Sequence, residues 1–459
     1  MTTQYDAIII GTGQSGPALA NRLHREGLKT AVIERKLIGG TCVNVGCVPT
    51  KALVASARAA HLASRGADFG VIIEEPIRVD MQRVHARMKR ISGESTSGLT
   101  RWLEGMDNVR LIRGHARFES SNTVSVNGDS LQAEKIFLNV GERARVPEMP
   151  GVGEIDFMTN SGIVELDSLP KHLIVVGAGY IGLEFAQIFR RFGSEVTVVG
   201  RAPRPIPRED EDVGDAIKEI LQGEGIDLRL AAECMHLERS EDGVAIGVSC
   251  AEGAPKVAGS HILLAVGRVP NTHDLGLDKA GVDVDRRGYI RVDDQLRTSA
   301  PGIWALGDCN GKGGFTHTSY NDFEIVAANL FDDDTRRVSD RFPCFGLFID
   351  PPLGRVGMTE KEARESPRRV LVGKRLMKNV GRARERSETD GFIKVLVDAD
   401  SQEILGAAIL GINGDEVVHT LLAVMYAKAP YTVLSRAVPI HPTVAELLPT
   451  VLQDLKPLR

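Results

Sequence analysis

Two cysteines five positions apart, Cys42 and Cys47 in GGTCVNVGCVPTK, are the residues of this chain best suited to do chemistry. A close pair of this kind can cycle between two thiols and a disulfide. A helix beginning beside it would place a partial positive charge at its first turn, which stabilises a thiolate and depresses its pKa. Metal binding needs more ligands, and neither a nearby histidine nor a second cysteine pair completes a tetrahedral set. Two inert core cysteines are the alternative, and the glycine context beside a nucleotide-binding pattern weighs against them. The remaining cysteines, Cys234, Cys250, Cys309 and Cys344, are scattered along the chain. A long cytosolic chain with so few has no reason to be stapled by disulfides.

A reactive pair needs a scaffold, and the residues before it read as one. Residues 5–10 form a mostly apolar run, GTGQSG follows at 11–16, and PALANRLHREG carries helical apolar spacing up to Gly27. Gly11 permits a tight turn, Gly13 lets the backbone approach a pyrophosphate, and Gly16 allows helix to pack closely on strand, with the helix N-terminus facing the phosphates. A second strand, KTAVIE, ends at Glu34. That acid falls about 20 residues beyond the glycines, where a carboxylate accepts hydrogen bonds from an adenosine ribose.

The same grammar returns in HLIVVGAGYIGLEFAQIFRRFGSEVTVVGR, with Gly177, Gly179 and Gly182 ahead of a helix and a further strand ending near Gly200. Two dinucleotide sites in one polypeptide are most simply explained by a flavin and a nicotinamide that must meet to exchange hydride. The second site lacks the acid of the first; Gly200 and Arg201 stand there, with Arg204 and Arg208 nearby. A carboxylate would repel a 2′-phosphate and guanidinium groups bind it bidentately, so the pattern favours NADPH, with NADH the lesser candidate. The alternative is a solvated arginine loop of the sort common on surfaces.

The chain's 459 residues exceed a single core and predict two to four domains of roughly 100 to 200 residues each. With 42% hydrophobic residues, 25% charged and 48 glycines, it reads as a folded α/β protein with many tight turns. A formal charge of −5 gives no basic field for a phosphate backbone, so no nucleic-acid partner is expected. The start carries no signal-peptide pattern, and no apolar stretch approaches the roughly 18 to 20 residues needed to span a bilayer. The expectation is a cytoplasmic protein with no membrane partner.

Taken together, GTGQSG, GGTCVNVGCVPTK, GAGYIGLEFA, AVGRVPN at 265–271, GIWALGDCNG at 302–311 and HPTVAE at 441–446 resemble the motifs of the pyridine nucleotide-disulfide oxidoreductases, the family of glutathione reductase, dihydrolipoamide dehydrogenase and mercuric reductase. The resemblance runs nearly end to end. It implies an α/β fold with two Rossmann-like dinucleotide-binding domains plus a C-terminal α+β dimerisation domain. The segments would be residues 1–147 for FAD, 148–271 for NAD(P)H, 272–340 returning to the FAD site, and 341–459 for the interface.

The resemblance also implies residue roles. Asp308 would bind the flavin ribityl chain, and His115 and Ala116 would give backbone contacts to the adenine. Gly40, Thr41, Lys51, Gly141, Thr316 and Gly267 would join the cofactor contacts. Tyr180 is similar to the aromatic gate where nicotinamide enters, and Glu184 to the acid paired with Lys51 near the flavin; a buried lysine–carboxylate pair without chemistry would be costly. NADPH would deliver hydride to one face of FAD, and the reduced flavin would reduce the disulfide on the other, with Cys47 the flavin-side thiolate and Cys42 the thiol that attacks substrate. His441, oriented by Glu446, would carry the proton. In this family that pair serves the cysteines of the other subunit, so a homodimer with a shared active site is implied. The apolar stretch VVHTLLAVMYAKA would bury part of the interface, although an ordinary core helix gives the same pattern.

The substrate is chosen by loops without a transferable motif. HPTVAELLPT resembles mercuric reductase, but the stretch VLQDLKPLR carries none of that enzyme's vicinal cysteines, and no CxxC precedes Cys42 in these residues, so no N-terminal metal-binding domain of that kind is expected. Delivery of Hg(II) to the inner pair then lacks its soft ligands. Gly200 with Arg201 departs from dihydrolipoamide dehydrogenase. PREDED, FTHTSYND and PPLGRVGMTE look like the mercuric reductase-like bacterial branch, whose members reduce reactive chlorine or thiocyanate oxidants and Cu(II). An accessible low-pKa thiolate reacts quickly with such small electrophiles. Lipoamide or glutathione reductase activity, or a flavin-linked transhydrogenase that bypasses the thiols, remains as the alternative.

Overall fold

The computed structural model describes residues 2–241, 243–249 and 255–458. Cys250 lies outside these, and of Cys234 only the backbone is described. The chain divides into two compact units, one built from Met1–Ala52, His85–Arg145 and Gly267–Arg341, the other from Leu53–Val84, Val146–Val266 and Phe342–Arg459.

In the first unit, strand Ala7–Ile10 is apolar at every position because both of its faces are buried. Ile8 and Ile10 join one core with Ile33, Ile136 and Leu138, while Ala7 and Ile9 join another with Leu19, Leu23 and Phe137. Such two-sided burial is the mark of a parallel sheet covered on each face. Five strands form it in the order Ile303–Ala305, Lys135–Leu138, Ala7–Ile10, Thr30–Glu34, Val109–Arg113, and every pairing is parallel. The helix Ser15–Arg25 follows the first glycine turn, as the sequence predicts. A smaller sheet orders Thr2–Gln4, Asp129–Gln132, Thr123–Val126 and Arg117–Ser120.

The second unit repeats the parallel design with Asp227–Arg229, Glu195–Val199, His172–Val176 and His261–Leu264. A three-stranded meander, Glu233–Ser240, Gly243–Ser249 and Lys256–Gly259, packs Leu237, Val244 and Ile246 against Ile174 and Ile262 of that sheet. The C-terminal part is a six-stranded sheet from Cys344–Leu347 to Lys456–Pro457. Helix Gly414–Tyr426, formed by the apolar stretch VVHTLLAVMY, buries Val417, Val418, Leu421 and Met425 in this sheet's core. Its apolar spacing is therefore used, on that face, by its own subunit. No helix among the described residues is long and apolar enough to cross a membrane.

Candidate active site

Cys42 lies in the short helix Gly40–Val45, and Cys47 is the first residue of the 18-residue helix Cys47–Ser64. Gly46 joins the two. A Cβ there would meet the Thr41 carbonyl oxygen at 2.8 Å and Cys42 Cα at 3.2 Å, so only glycine lets the chain double back sharply enough to bring the thiols together. Cys42 is half-buried and Cys47 exposed. Cys47 Sγ lies 3.1 Å from Thr316 Oγ1, at the start of helix Thr316–Phe331. The Cys42 pKa is pushed up by its hydrogen bond with Cys47 and by burial, against a smaller downward pull from Thr316. The long helix's N-terminal charge favours an anion at Cys47.

The first glycine turn is built for a close-lying ligand. A Cβ on Gly16 would sit 2.5 Å from the Gly11 carbonyl oxygen, and one on Gly11 would sit 2.1 Å from that of Asn139. Gly13 faces the Asn139 side chain, and Gly40 packs against the Gly13 Cα, bringing Gly40 and Thr41 to the same turn. The buried Asn139 amide nitrogen makes no hydrogen bond, leaving a donor beside the turn. Glu34 ends its strand; one carboxylate oxygen accepts from the Thr12 N–H (3.0 Å) and hydroxyl (2.7 Å), the other from the Lys36 N–H (2.8 Å). A carboxylate offers about four acceptor sites, so Glu34 keeps capacity for a ribose hydroxyl. Gly114 donates to the Glu34 carbonyl at 3.0 Å, which places His115 and Ala116 next to that acid. The His115 ring turns to the Asp274 carbonyl, 3.1 Å away, while Ala116 is buried in the core.

Asp308 lies in the turn Gly307–Asn310. Burial and then Glu142 push its carboxyl up to about 6, against the pull of Arg268. A half-buried acid held so far from its ordinary value wants a donor, and a ribityl hydroxyl is one. Glu142 is engaged by Arg268 at 3.1 Å and by the Tyr289 hydroxyl at 2.5 Å. Gly141 and Gly267 flank this cluster, with the Gly141 carbonyl receiving Asn271 N–H at 3.0 Å and that of Gly267 receiving Arg145 N–H at 2.9 Å. The glycine cradle, free Asn139 donor, Glu34 and Asp308 fit a flavin dinucleotide in donor and acceptor chemistry.

In the second unit the glycine turn repeats. Gly182 would carry a Cβ 2.0 Å from the Gly177 carbonyl oxygen, and Gly179 caps helix Tyr180–Phe192. Tyr180, the helix's first residue, packs edge-on against Phe345 at 5.5 Å, and burial raises its phenol above the ordinary range. Glu184 is buried one turn on and accepts the Phe348 N–H at 3.0 Å. Lys51, half-buried, belongs to the second turn of the helix that Cys47 opens. Arg201 and Arg208 are exposed after strand Glu195–Val199. Arg204, which the sequence groups with them, is engaged instead by Asp215 at 2.7 Å and Glu211 at 3.4 Å.

Far along the chain, His441 Nδ1 lies 2.8 Å from Glu446 Oε2. The imidazole is 79% exposed and its acid 14%. Val438 and Ile440, beside it, are 98% and 80% exposed. The imidazole is thus oriented from behind and faces outward among exposed apolar side chains.

Both halves of the chain match one family. The description "Pyridine nucleotide-disulphide oxidoreductase" covers residues 5–322, and the dimerisation domain of the same family covers residues 345–452. The chain belongs to the pyridine nucleotide-disulfide oxidoreductases. Members work with FAD and a pyridine nucleotide. The chain is 36% identical to the probable pyridine nucleotide-disulfide oxidoreductase RclA of Escherichia coli, over 97% of this chain and 98% of that one. It is 32% identical to a dihydrolipoyl dehydrogenase of Thermus scotoductus over 96% and 95% of the two chains. With a mercuric reductase of Bacillus cereus it shares 32% over 90% of this chain and 66% of the relative. A solved structure of the HOCl-induced flavoprotein disulfide reductase RclA from Escherichia coli superposes with a TM-score of 0.89 at 35% identity, covering 98% of this chain and all of that one. The protein is thus a flavoprotein disulfide oxidoreductase with a dimerisation domain.

Sequence reasoning missed Asn139, whose neighbours in the chain give no hint of its place behind the glycine turn. It also missed Asp322, which lies within FTHTSYND. The buried Asp322 carboxylate accepts the Gly307 N–H and an Asn310 amide hydrogen, each at 2.8 Å, and pairs with Arg341. It thereby fixes the turn that carries Asp308. An acid among polar helix residues was the only available signal.

Proposed function

We propose that this protein is an NADPH-dependent reductase whose Cys42–Cys47 dithiol reduces a small thiol-reactive oxidant or metal ion, such as hypothiocyanite, a reactive chlorine species, Cu(II) or Hg(II). The observation that carries the reading is the dithiol itself: an exposed Cys47 at a long helix's N-terminus, hydrogen-bonded to Cys42. Bound FAD supplies the two-electron step between nicotinamide and disulfide. Around it, Gly11, Gly13, Gly16, Gly40, Thr41, Glu34, His115, Ala116, Gly141, Asp308, Thr316 and Gly267 position the cofactor. Gly177, Gly179 and Gly182 seat the nucleotide pyrophosphate, Tyr180 gates the nicotinamide, and Arg201 and Arg208 take the 2′-phosphate. Lys51 and Glu184 each take the role at the flavin's reactive end that the family resemblance implies.

With hypothiocyanous or hypochlorous acid, the Cys42 thiolate takes the electrophilic sulfur or chlorine and hydroxide leaves, and Cys47 then closes the disulfide and expels thiocyanate or chloride; two Cu(II) ions, or one Hg(II), accept the same two electrons. His441, aligned by Glu446, moves the proton, and does so for the cysteines of a second copy, so each homodimer site draws on both subunits. The segments 1–147, 148–271, 272–340 and 341–459 divide these tasks. Few, scattered cysteines and a demand for NADPH suit the cytoplasm. Likeness to RclA, named as HOCl-induced and also solved as a Cu(II) complex, supports a small oxidant or Cu(II) over lipoamide.

Anaerobic titration of the holoenzyme with NADPH should take up two electron pairs per FAD, one more than a Cys42→Ser/Cys47→Ser variant accepts. Equal uptake would overturn the reading and favour a transhydrogenase. Steady-state turnover with hypothiocyanite, Cu(II), Hg(II), oxidised glutathione and lipoamide, using each nicotinamide, then ranks the substrates.

A further inference from the structure

After strand Glu195–Val199 the chain runs irregularly to helix Glu211–Gly223, and this stretch carries Arg201 and Arg208. Backbone bonds hold part of it: Ala231 N–H to the Ala202 carbonyl and Ile206 N–H to that of Ala178, each 2.9 Å. Its far end is held by buried charge. Arg355, on strand Leu353–Gly357 of the C-terminal sheet, is 2% exposed and lies 3.3 Å from the equally buried Glu209. Lys394, on strand Phe392–Asp398, is 1% exposed, with its ammonium 2.8 Å from Asp210, 2.7 Å from Asp212 and 3.0 Å from Glu360. Lys374, its cross-strand partner, reaches Asp212 at 2.5 Å.

Three features set this cluster apart from ordinary packing. Asp210 stands at the N-cap of helix Glu211–Gly223 yet makes no capping bond with its side chain; its carboxylate takes the Glu360 N–H at 2.8 Å and the Lys394 ammonium instead. All three guanidinium nitrogens of Arg355 are buried without a hydrogen bond. Two lysines face each other across neighbouring strands, an arrangement that costs stability unless an anion sits between them, as Asp212 does. Burying such ions gains little over apolar packing of the same shape, which points to a task other than stability. Tyr180 senses the same charges, its phenol raised by Glu209 and lowered by Arg355 and Arg208, so the cluster borders the second glycine turn.

We infer that Glu209, Asp210 and Asp212, clamped by Arg355, Lys394 and Lys374 of the C-terminal sheet, are positioning residues that fix loop 201–208 and thereby set the preference for a nucleotide with an adenosine 2′-phosphate. The inference rests on the assignment of that loop to NADPH. The clamp acts through the loop and touches no reacting atom. It makes cofactor choice depend on a sheet belonging to the dimerisation segment.

The test compares holoenzyme with a Glu209→Leu/Arg355→Leu variant, which removes both ions and leaves neither buried alone, and with Asp212→Asn, altered at a position 33% exposed. Calorimetric titration with NADP+ and NAD+ reads affinity, and steady-state rates separate KM from kcat. Expected are an NADP+ Kd and an NADPH KM raised about tenfold, with NAD+ binding and kcat at saturating NADPH changed less than about twofold. Equal changes for both nucleotides, or none, in variants that keep the wild-type Tm would overturn the clamp. A wild-type enzyme binding both nucleotides equally would overturn the NADPH assignment, and the inference with it.

Discussion

Thr316 Oγ1 lies 3.1 Å from Cys47 Sγ, although 269 residues separate them. The hydroxyl opens a helix, as the cysteine does, so two helix N-termini and one hydrogen bond converge on a single sulfur. Such an arrangement favours negative charge there.

Removing that hydroxyl while keeping its shape isolates its share. Thr316→Val should slow disulfide turnover roughly tenfold, the loss expected when a hydrogen bond to a charged group worth about 1.5 kcal/mol is deleted. Thiol alkylation by iodoacetamide across pH, after reduction, should show the reactive thiolate forming at higher pH than in the wild type. An unchanged alkylation profile would mean that the hydroxyl only packs.

Asp322 lies about two turns further along the same helix. Its carboxylate fixes the Gly307 N–H and Asn310, and pairs with Arg341. Asp322→Asn leaves a buried guanidinium without its charge and should cost about 3 kcal/mol of stability. FAD should dissociate more readily, because the turn bearing Asp308 loses its anchor. Thermal unfolding and flavin release during dialysis measure the two effects.

Close packing at the first glycine turn leaves no room for a side chain. Gly16→Ala would press a Cβ to 2.5 Å from the Gly11 carbonyl oxygen, and backbone cannot swing aside as a flexible side chain would. The variant should lose roughly 1–3 kcal/mol and purify largely without flavin, read from the ratio of flavin to protein absorbance.

The His441–Glu446 pair predicts a split between half-reactions. Glu446→Gln keeps the shape but removes the charge behind the imidazole, and turnover of the oxidant should fall roughly 10- to 100-fold for a bond of about 1.5–3 kcal/mol. Reduction by NADPH, followed by stopped flow, should keep its wild-type rate. Equal slowing of both halves would place the pair elsewhere in the cycle.

Asp308 gives the protein a pH signature. Its carboxyl is raised from 3.8 to about 6, so the folded state holds the proton more tightly than the unfolded chain does. The associated stability is complete below 3.8 and is lost as pH rises through about 6. Flavin-free protein should therefore lose roughly 2–3 kcal/mol over that window from this group, and Asp308→Asn should flatten the slope. Denaturant unfolding at several pH values decides it.

What could be read from the sequence was local. Gly11, Gly13 and Gly16, with Glu34 at the end of the next strand, announce themselves because strand, turn and helix are consecutive, and the same holds for Gly177 to Gly182 and for His441 with Glu446. Arg204 shows the limit: grouped with Arg201 and Arg208 by position, it is engaged by Asp215 and Glu211 on the next helix. Asn139, Asp322 and Arg355 act through partners distant in the chain, and each sits in an unremarkable segment. In PPLGRVGMTE an arginine reads as a surface residue, since a charge is seldom fully buried unless paired; its partner Glu209 lies 146 positions earlier.

Ser15, in the first turn after the opening glycines, shares a 2.7 Å hydroxyl contact with Ser319 and donates to the same residue's carbonyl. Those partners are 304 residues apart. A nascent chain emerging N-terminus first therefore makes its dinucleotide turn early but cannot seal it until Ser319 has been synthesised. Cofactor capture is thereby postponed to a late stage of biosynthesis, and truncated products from interrupted translation are left unable to form a sealed, redox-competent centre.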